Sequence, residues 1–349
     1  MPRLRVALSG DFRNPDGSPT FPDFDLTPLL TDPGIEMVWV EPVDGVMPAA
    51  ALEGCHGLIL LAPRFLARSI PSSGSLMAVA RFGVGYDNVD VSACTEAGIA
   101  VVITPSGVRR PVAVSVITFM LALTQKLLIK DRLARGGPEG WAARVDHMGT
   151  GLVGKTLGQL GLGNIGAEVF RLAAPFDMRF IAHDPYADPE EASRLGVELV
   201  GLEDVFRRSD VLSVSIPLSE ATRHLVNAER LALMKPGAFL INTARGPIVD
   251  QRALYEALEG GVIAGAGLDV FEIEPAPADE PLFRLDNVIT APHALCWTDE
   301  CFAGNGAADV AAMKALAAGK APEGVVNRPV LDSPSFRERL AAFAGGARP

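Results

Sequence analysis

The sequence predicts an α/β protein of two parallel-sheet lobes, and three observations carry that expectation. Short apolar runs ended by Gly, Pro or charge alternate with amphipathic helical segments along almost the whole chain, as strands do when helices bury both faces of their sheet. At 349 residues and 48% apolar content the chain exceeds what one core usually organises, so two domains of ordinary size are expected. The strand–helix pattern also starts afresh at Thr156, behind a long apolar helix.

The elements follow in order. LRVALSG, IEMVWVEP, GLILLAP, LMAVARFG and IAVVITP read as five buried strands. In MPRLRVALSG only Val6 to Leu8 form an uninterrupted apolar run, far short of a signal-peptide core, so this segment is expected to be the first strand. Thr104-Pro105, Ser106, Gly107 and Pro111 punctuate the backbone before a long helix expected from Val112, which places a domain crossing there. That helical stretch, 112–129, contains Ser115, Thr118, Thr124, Gln125 and Lys126; a membrane span needs about 20 predominantly apolar residues, so a buried helix is expected. From Thr156, TLGQLGLG, RFIAHD, VLSVSIP, AFLINTA, AGAGLDV and NVITAP give six further strands, with helices at EEASRL, NAERLALM and QRALYEALEG. Asp250 is the expected N-cap of the last of these and Gly260-Gly261 its stop. There is no internal repeat, and the tail AAFAGGARP is expected to be loose.

A net charge of −11 gives the average surface the wrong sign for nucleic acid or anionic membrane, so neither partner is expected. Cys55, Cys94, Cys296 and Cys301 show no C-x-x-C spacing, which points to reduced thiols in a cytoplasmic protein; no metal site is expected.

Within GKTLGQLGLGNIGAEVF lies G-L-G-N-I-G, Gly161 to Gly166. The pattern alone is weak, because tight turns use glycine for many purposes. Its context strengthens it: Leu157 to Leu160 read as a strand and Asn164 opens a helix, so backbone amides at a helix N-terminus can approach a pyrophosphate. Asp184 ends the next strand, 23 positions after Gly161, where a carboxylate accepts hydrogen bonds from adenosine ribose hydroxyls and repels a 2′-phosphate. This spacing favours NAD over NADP. An N-cap role for Asp184 in DPYADPE is compatible with it.

Four segments carry a family resemblance over nearly the whole chain: GVGYDNVD at 83–90, GKTLGQLGLGNIG at 154–166, INTARGPIVD at 241–250, and GLDVFEIEP followed by APHALCWT at 267–298. In these the chain resembles the D-isomer-specific 2-hydroxyacid dehydrogenases. The resemblance implies a Rossmann-type nucleotide domain inserted into a flavodoxin-like α/β substrate domain. It divides the chain into a discontinuous substrate domain of residues 1–106 with 299–349 and an NAD-binding domain of residues 107–298. The last helix, near 299–316, would return to complete the first lobe. A dimerisation arm at about 125–152 would make a homodimer, with Trp141 as an apolar anchor.

Reducing a 2-keto acid requires a cation for the carboxylate and carbonyl oxygen, a proton donor at that oxygen, and a hydride donor on the other face of the carbon. Arg245 in TARG follows a strand and presents a permanent charge in a planar fork. His293 in APH follows another strand, and an intrinsic pKa of about 6.5 suits reversible proton transfer. Glu274 in FEIEP would hydrogen-bond that imidazole and favour its charged form. Singly, such residues are usually a surface ion-pair partner, a structural histidine and a turn cap. Together, beyond three strands of one sheet, they point to chemistry. The resemblance maps the family's catalytic Arg, Glu and His onto them, and glutamate at 274 argues against a formate-dehydrogenase-like variant.

Further roles are implied by the same resemblance. Val84 and Gly85 would hold the substrate carboxylate through backbone amides, where glycine at 83 and 85 permits close approach. Gly161, Gly163, Asn164, Ile165, Gly166 and Asp184 would bind the dinucleotide; Ser215, Pro217 and Thr222 would flank the adenosine; Thr243, Ala244 and Asp269 would serve the nicotinamide. A strand-ending turn and a cap are the ordinary alternatives for Val84-Gly85 and for Asp269. The chain departs from the family pattern at Leu295-Cys296-Trp297, where small residues are common, at Ser115 in place of a glutamate, and at Ser215 in place of a histidine. Arg109 and Arg110 sit just before the helix expected from Val112, an unfavourable place for cations that calls for an anion nearby. A ligand carboxylate or phosphate and a solvated or interface pair are both open there.

The expected activity is therefore NAD-dependent interconversion of a 2-keto acid and its D-hydroxy acid, with domain closure excluding water. A glyoxylate or hydroxypyruvate reductase, or a reductase for a sugar-derived acid, is the alternative within the family. A dinucleotide-sensing, corepressor-like binding protein is the alternative outside enzymology.

Overall fold

A computed structural model describes residues 3–344. The chain forms two compact units: residues up to Val108 together with those from Trp297 onward, and the inserted segment Arg109–Cys296.

In the first unit, β1 (Leu4–Ser9), β2 (Ile35–Val40), β3 (Gly57–Leu60), β4 (Ala78–Arg81) and β5 (Ala100–Ile103) pair in parallel in the order β2-β1-β3-β4-β5. These are the five strands expected, in the flavodoxin order. Alternate residues feed two apolar layers: Leu4, Val6 and Leu8 face one, Ala7 the other. The helix Asp299–Ala317 covers the first layer with Phe302, Val310, Met313 and Leu316, and Thr298 caps it by accepting from the Cys301 amide at 3.1 Å. Cys55 and Cys94 are buried in the second layer, where burial pushes the Cys94 thiol up to about 12.

The inserted unit holds seven parallel strands: β6 (Thr156–Leu160), β7 (Arg179–His183), β8 (Val197–Leu199), β9 (Val211–Val214), β10 (Phe239–Asn242), β11 (Gly265–Leu268) and β12 (Val288–Thr290). Their order is β12-β11-β10-β9-β6-β7-β8, a Rossmann sheet with one strand added at its edge. The sequence predicts six. The missed strand, β8, is three residues long and, among the described residues, pairs only with β7; V-E-L is too short to display an alternation.

The crossing helix also differs from expectation. It runs Pro105–Thr124, with Pro105 at its start and Pro111 inside it. Arg109 and Arg110 therefore lie in its second turn rather than ahead of its N-terminus. Its length and composition would suit a membrane crossing, yet Ala113, Val116, Phe119, Met120 and Leu123 are buried in the inserted unit's core. Gly267 in β11 makes room for it, since a Cβ there would stand 2.7 Å from the Phe119 ring. Lys126, at φ +52, ends the run, and the expected arm consists of helices Leu127–Arg135 and Gly137–Ala143. Asp250 caps the helix Gln251–Glu259 by accepting from the Ala253 amide at 3.0 Å, and Gly261, at φ +68, follows its end. Of the tail expected to be loose, residues 345–349 lie outside the described residues.

Candidate active site

The neighbouring strands β10, β11 and β12 end side by side, and each delivers one expected group. Arg245 follows β10 in a turn built by Asn242, a buried residue whose amide donates to the Arg245 carbonyl at 2.9 Å and accepts from the Ala244 amide at 3.0 Å. Arg245 Nη1 donates to the Ala244 carbonyl at 2.7 Å. Gly246 comes next because a Cβ there would overlap the Phe271 backbone. That close approach presses the Arg245 turn against the loop carrying Glu274.

Glu274 Oε1 accepts from the Phe271 amide at 2.9 Å, and its Oε2 lies 2.7 Å from His293 Nδ1. Burial raises the Glu274 carboxyl, but the His293 hydrogen bond and charge, the Phe271 amide and the Arg245 charge outweigh burial and hold it below the usual carboxylate range. Glu274 is thus ionised beside the imidazole at neutral pH. With Nδ1 engaged, Nε2 is the nitrogen left to meet a substrate oxygen. His293 adopts φ +55, the left-handed region that a non-glycine residue enters only when its surroundings impose it.

Asp269 supplies part of that constraint. It is buried at the end of β11 and accepts from the Ala294 amide at 3.0 Å and the Leu295 amide at 3.2 Å, so it fixes the turn behind His293. Burial pushes its carboxyl up, against the pull of those two amides and of His293.

At the other side of the sheet, the G-x-G-x-x-G turn links β6 to the helix Asn164–Ala173. Gly161 adopts φ +96, and a Cβ there would stand 2.5 Å from the Ser215 carbonyl; one on Gly166 would strike the Gly161 carbonyl. Gly163 is different. A Cβ on it meets no atom of the described residues within 4 Å, so nothing among them demands glycine at that position. A pyrophosphate lying against the loop would demand it. Asp184 ends β7 with Oδ2 accepting from the Leu162 amide and Oδ1 from the Tyr186 amide, both at 2.9 Å. The N-cap of the following helix is Asp188, not Asp184. The glycine turn, its helix and this carboxylate fit a dinucleotide.

Ser215 and Pro217 follow β9, and Thr222 donates to the Pro217 carbonyl at 2.7 Å, closing that loop. Thr243 and Ala244 form the turn ahead of Arg245. Arg109 and Arg110 find their anion inside the protein: Glu168, whose side chain is 8% exposed, lies 2.6 Å from Arg110, 3.9 Å from Arg109 and 3.3 Å from Arg171. The arginines hold the crossing helix to the fingerprint helix. In the first unit, Gly83 takes φ +130 and donates to Thr104 Oγ1 at 2.8 Å, which sets the turn through Val84 and Gly85. Trp297 packs edge-on against Phe21 and Phe302 at centroid distances of 5.4 and 5.5 Å.

The family "D-isomer specific 2-hydroxyacid dehydrogenase, NAD binding domain" matches residues 117–294. A glyoxylate reductase from Korarchaeum cryptofilum is 39% identical over 80% of this chain and 85% of its own length. The chain belongs to the D-isomer specific 2-hydroxyacid dehydrogenases. Another relative of this dehydrogenase, D-3-phosphoglycerate dehydrogenase of Methanocaldococcus jannaschii, is 41% identical over 74% of this chain but only 49% of that protein. The chain thus spans about half the length of that relative. Among solved structures, the NADPH-dependent glyoxylate/hydroxypyruvate reductase of Sinorhizobium meliloti aligns with TM-score 0.79 and 31% identity, over 94% of this chain and 98% of that one. A nicotinamide cofactor belongs to this family's nucleotide domain.

The dehydrogenase also contains supports that sequence motifs did not reveal: the side chain of Asn242 and the Phe271 amide, which orient Arg245 and Glu274. A polar residue closing an otherwise apolar strand, as in FLIN, is the one visible hint of the first. An amide donor leaves none.

Proposed function

We propose that this chain is an NAD-dependent D-2-hydroxyacid dehydrogenase that reduces a small 2-keto acid, using Arg245, His293 and Glu274. The observation that carries this reading is the 2.7 Å contact between His293 Nδ1 and an ionised Glu274, with the Arg245 charge acting on the same carboxylate.

The chemistry supplied by a bound nicotinamide is hydride transfer to or from the substrate's second carbon. Arg245 binds the substrate carboxylate and draws electron density toward the carbonyl oxygen. His293 Nε2 gives that oxygen its proton. Glu274, ionised, holds the imidazole through its Nδ1 hydrogen bond and keeps the ring oriented with Nε2 toward the substrate oxygen. Val84 and Gly85 offer backbone amides to the carboxylate. Gly161, Gly163, Asn164, Ile165 and Gly166 receive the pyrophosphate, Asp184 the adenosine ribose, Ser215, Pro217 and Thr222 the adenosine, and Thr243, Ala244 and Asp269 the nicotinamide. An Asp184 already oriented by the Leu162 amide favours two ribose hydroxyls over a 2′-phosphate, which supports NAD.

A glyoxylate or hydroxypyruvate reductase fits equally well, since relatives bear those names. Trp141, Val145 and Met148, exposed at 59%, 68% and 75% on and beside the arm, support a homodimer. NADH oxidation measured against a panel of 2-keto acids tests the activity. Turnover on at least one small keto acid is expected; cofactor binding with no turnover on any of them points instead to a sensing protein.

A further inference from the structure

The loop from Phe271 to Glu280 carries Glu274 beyond β11, and burial does not hold it there: Ile273 and Pro275, on either side of Glu274, are exposed. Polar contacts grip the loop at both ends, and they meet at one side chain. Gln251 Oε1 accepts from the Glu272 amide at 2.9 Å, while Gln251 Nε2 donates to Glu280 Oε2 at 2.8 Å. The Gln251 backbone amide returns the first contact by donating to Glu272 Oε1 at 3.2 Å. Glu280 is buried, and its other oxygen accepts from the Leu282 amide at 3.3 Å, capping the short turn Pro281–Arg284.

The clamp has a firm base. Gln251 opens the helix Gln251–Glu259, which Asp250 caps and which buries Ala253, Leu254, Ala257 and Leu258 in the core. The Glu272 amide that it holds is one residue from the Phe271 amide, which donates to Glu274 Oε1 at 2.9 Å. On the Arg245 side, the Phe271–Glu272 backbone lies so close to Gly246 that a Cβ there would overlap it. His224 joins the same two segments: its Nε2 lies 2.7 Å from Glu272 Oε1, and its amide donates to the Pro247 carbonyl at 2.9 Å, two residues beyond Arg245. A displacement of Glu272 would therefore pass to the Phe271 amide, to Glu274 and to the Arg245 turn.

We propose that Gln251 is a positioning residue for the reaction: by spanning Glu272 and Glu280 it fixes the Phe271 amide and, through it, the Glu274 carboxylate that faces His293. This rests on the reading of Glu274 and His293 as the proton-transfer pair. A carboxamide suits the task because it offers an acceptor to one end of the loop and a donor to the other, neither of which titrates. The role lies in that donor–acceptor order, so reversing the order with Glu280 should preserve it.

The test is steady-state keto-acid reduction by wild type, Gln251→Glu and the double variant Gln251→Glu/Glu280→Gln. The single variant keeps an acceptor for the Glu272 amide but sets two like charges against each other at Glu280; the double variant restores the hydrogen bond with its donor on the opposite side. In Gln251→Glu kcat should fall about tenfold while the KM values for keto acid and NADH stay within about twofold, and the double variant should return kcat to within about twofold of wild type. A wild-type kcat in the single variant, or no recovery in the double variant, would overturn the proposal. If Gln251→Glu does not fold, amide hydrogen exchange in the wild-type protein decides. The Phe271 amide, held by Glu274, and the Glu272 amide, held by Gln251, should open as one unit with the same protection; unequal protection contradicts the coupling. Exchange needs no turnover, so a wild-type protein that reduces no keto acid overturns the functional reading while exchange still judges the clamp, which separates the two failures.

Discussion

Glu274, with 36% of its side chain exposed, and Asp309, with none, are carboxylates that the folded chain treats oppositely. Glu274 meets an imidazole at 2.7 Å and a backbone amide at 2.9 Å, and its carboxyl is held below the usual range. Among the described residues no donor meets Asp309, and its carboxyl is driven up. Burial raises both; hydrogen bonding and nearby positive charge decide the sign. The contrast teaches that the partners, not the strand end alone, decide: Asp269 at the end of β11 also accepts from two backbone amides, yet burial still pushes its carboxyl up, whereas the His293 hydrogen bond and charge carry Glu274 the other way.

The largest effect should come from removing the cation at the strand-end site. Arg245→Ala is expected to lower kcat/KM for a keto acid by about 10²- to 10³-fold, with Arg245→Lys restoring only part of it because an ammonium lacks the fork. Near-complete recovery with lysine would show that charge alone matters there.

Next in size are the fingerprint glycines, which sharpen the distinction between residues the fold requires and residues a ligand requires. Gly161→Ala forces a side chain to φ +96 with a carbonyl 2.5 Å from its Cβ. It should cost about 1–3 kcal/mol of stability, read as a lower Tm. Gly163→Ala meets open space at φ −77, so its Tm should stay close to wild type while NADH binds about tenfold more weakly, roughly 1.4 kcal/mol. Unchanged NADH affinity in that variant would remove the pyrophosphate from this loop. The smallest of these effects is that of Asp184→Ala, which strips the Leu162 amide of its partner. It should weaken NADH by about 0.5–1 kcal/mol and shift preference toward NADPH; a constant ratio of the two affinities would leave the preference for NAD without support.

Much of this was legible in the amino acids. Eleven strands are apolar runs closed by Gly, Pro or charge, and Arg245, Glu274 and His293 stand just beyond three of them. What stayed hidden has physical causes. β8 has too few residues to show a period. Pro111 suggested a helix boundary, because proline disfavours helical backbone before it, yet the helix starts at Pro105 and continues through Pro111, with Ser115 Oγ donating to the Pro111 carbonyl at 3.0 Å. Glu168 gave no sign that it would satisfy Arg109 and Arg110, since the three meet only when two helices pack. Asp309 is hidden for a related reason: Asp299–Ala317 is rich in alanine and glycine on every side, so no apolar stripe marks the face that will be buried.

The central claim is that an ionised Glu274, hydrogen-bonded to His293 Nδ1, serves the proton transfer, and kcat for keto-acid reduction in Glu274→Gln across pH tests it most directly. Glu274 is held below the usual carboxylate range, so the wild-type carboxylate is charged across neutral pH and loses that charge only as pH falls through its depressed pKa; an amide at 274 carries no charge at any pH. The variant's kcat is predicted to fall by about 10²-fold, with a pH profile different from that of wild type. A kcat and a pH profile that both match wild type would contradict the account.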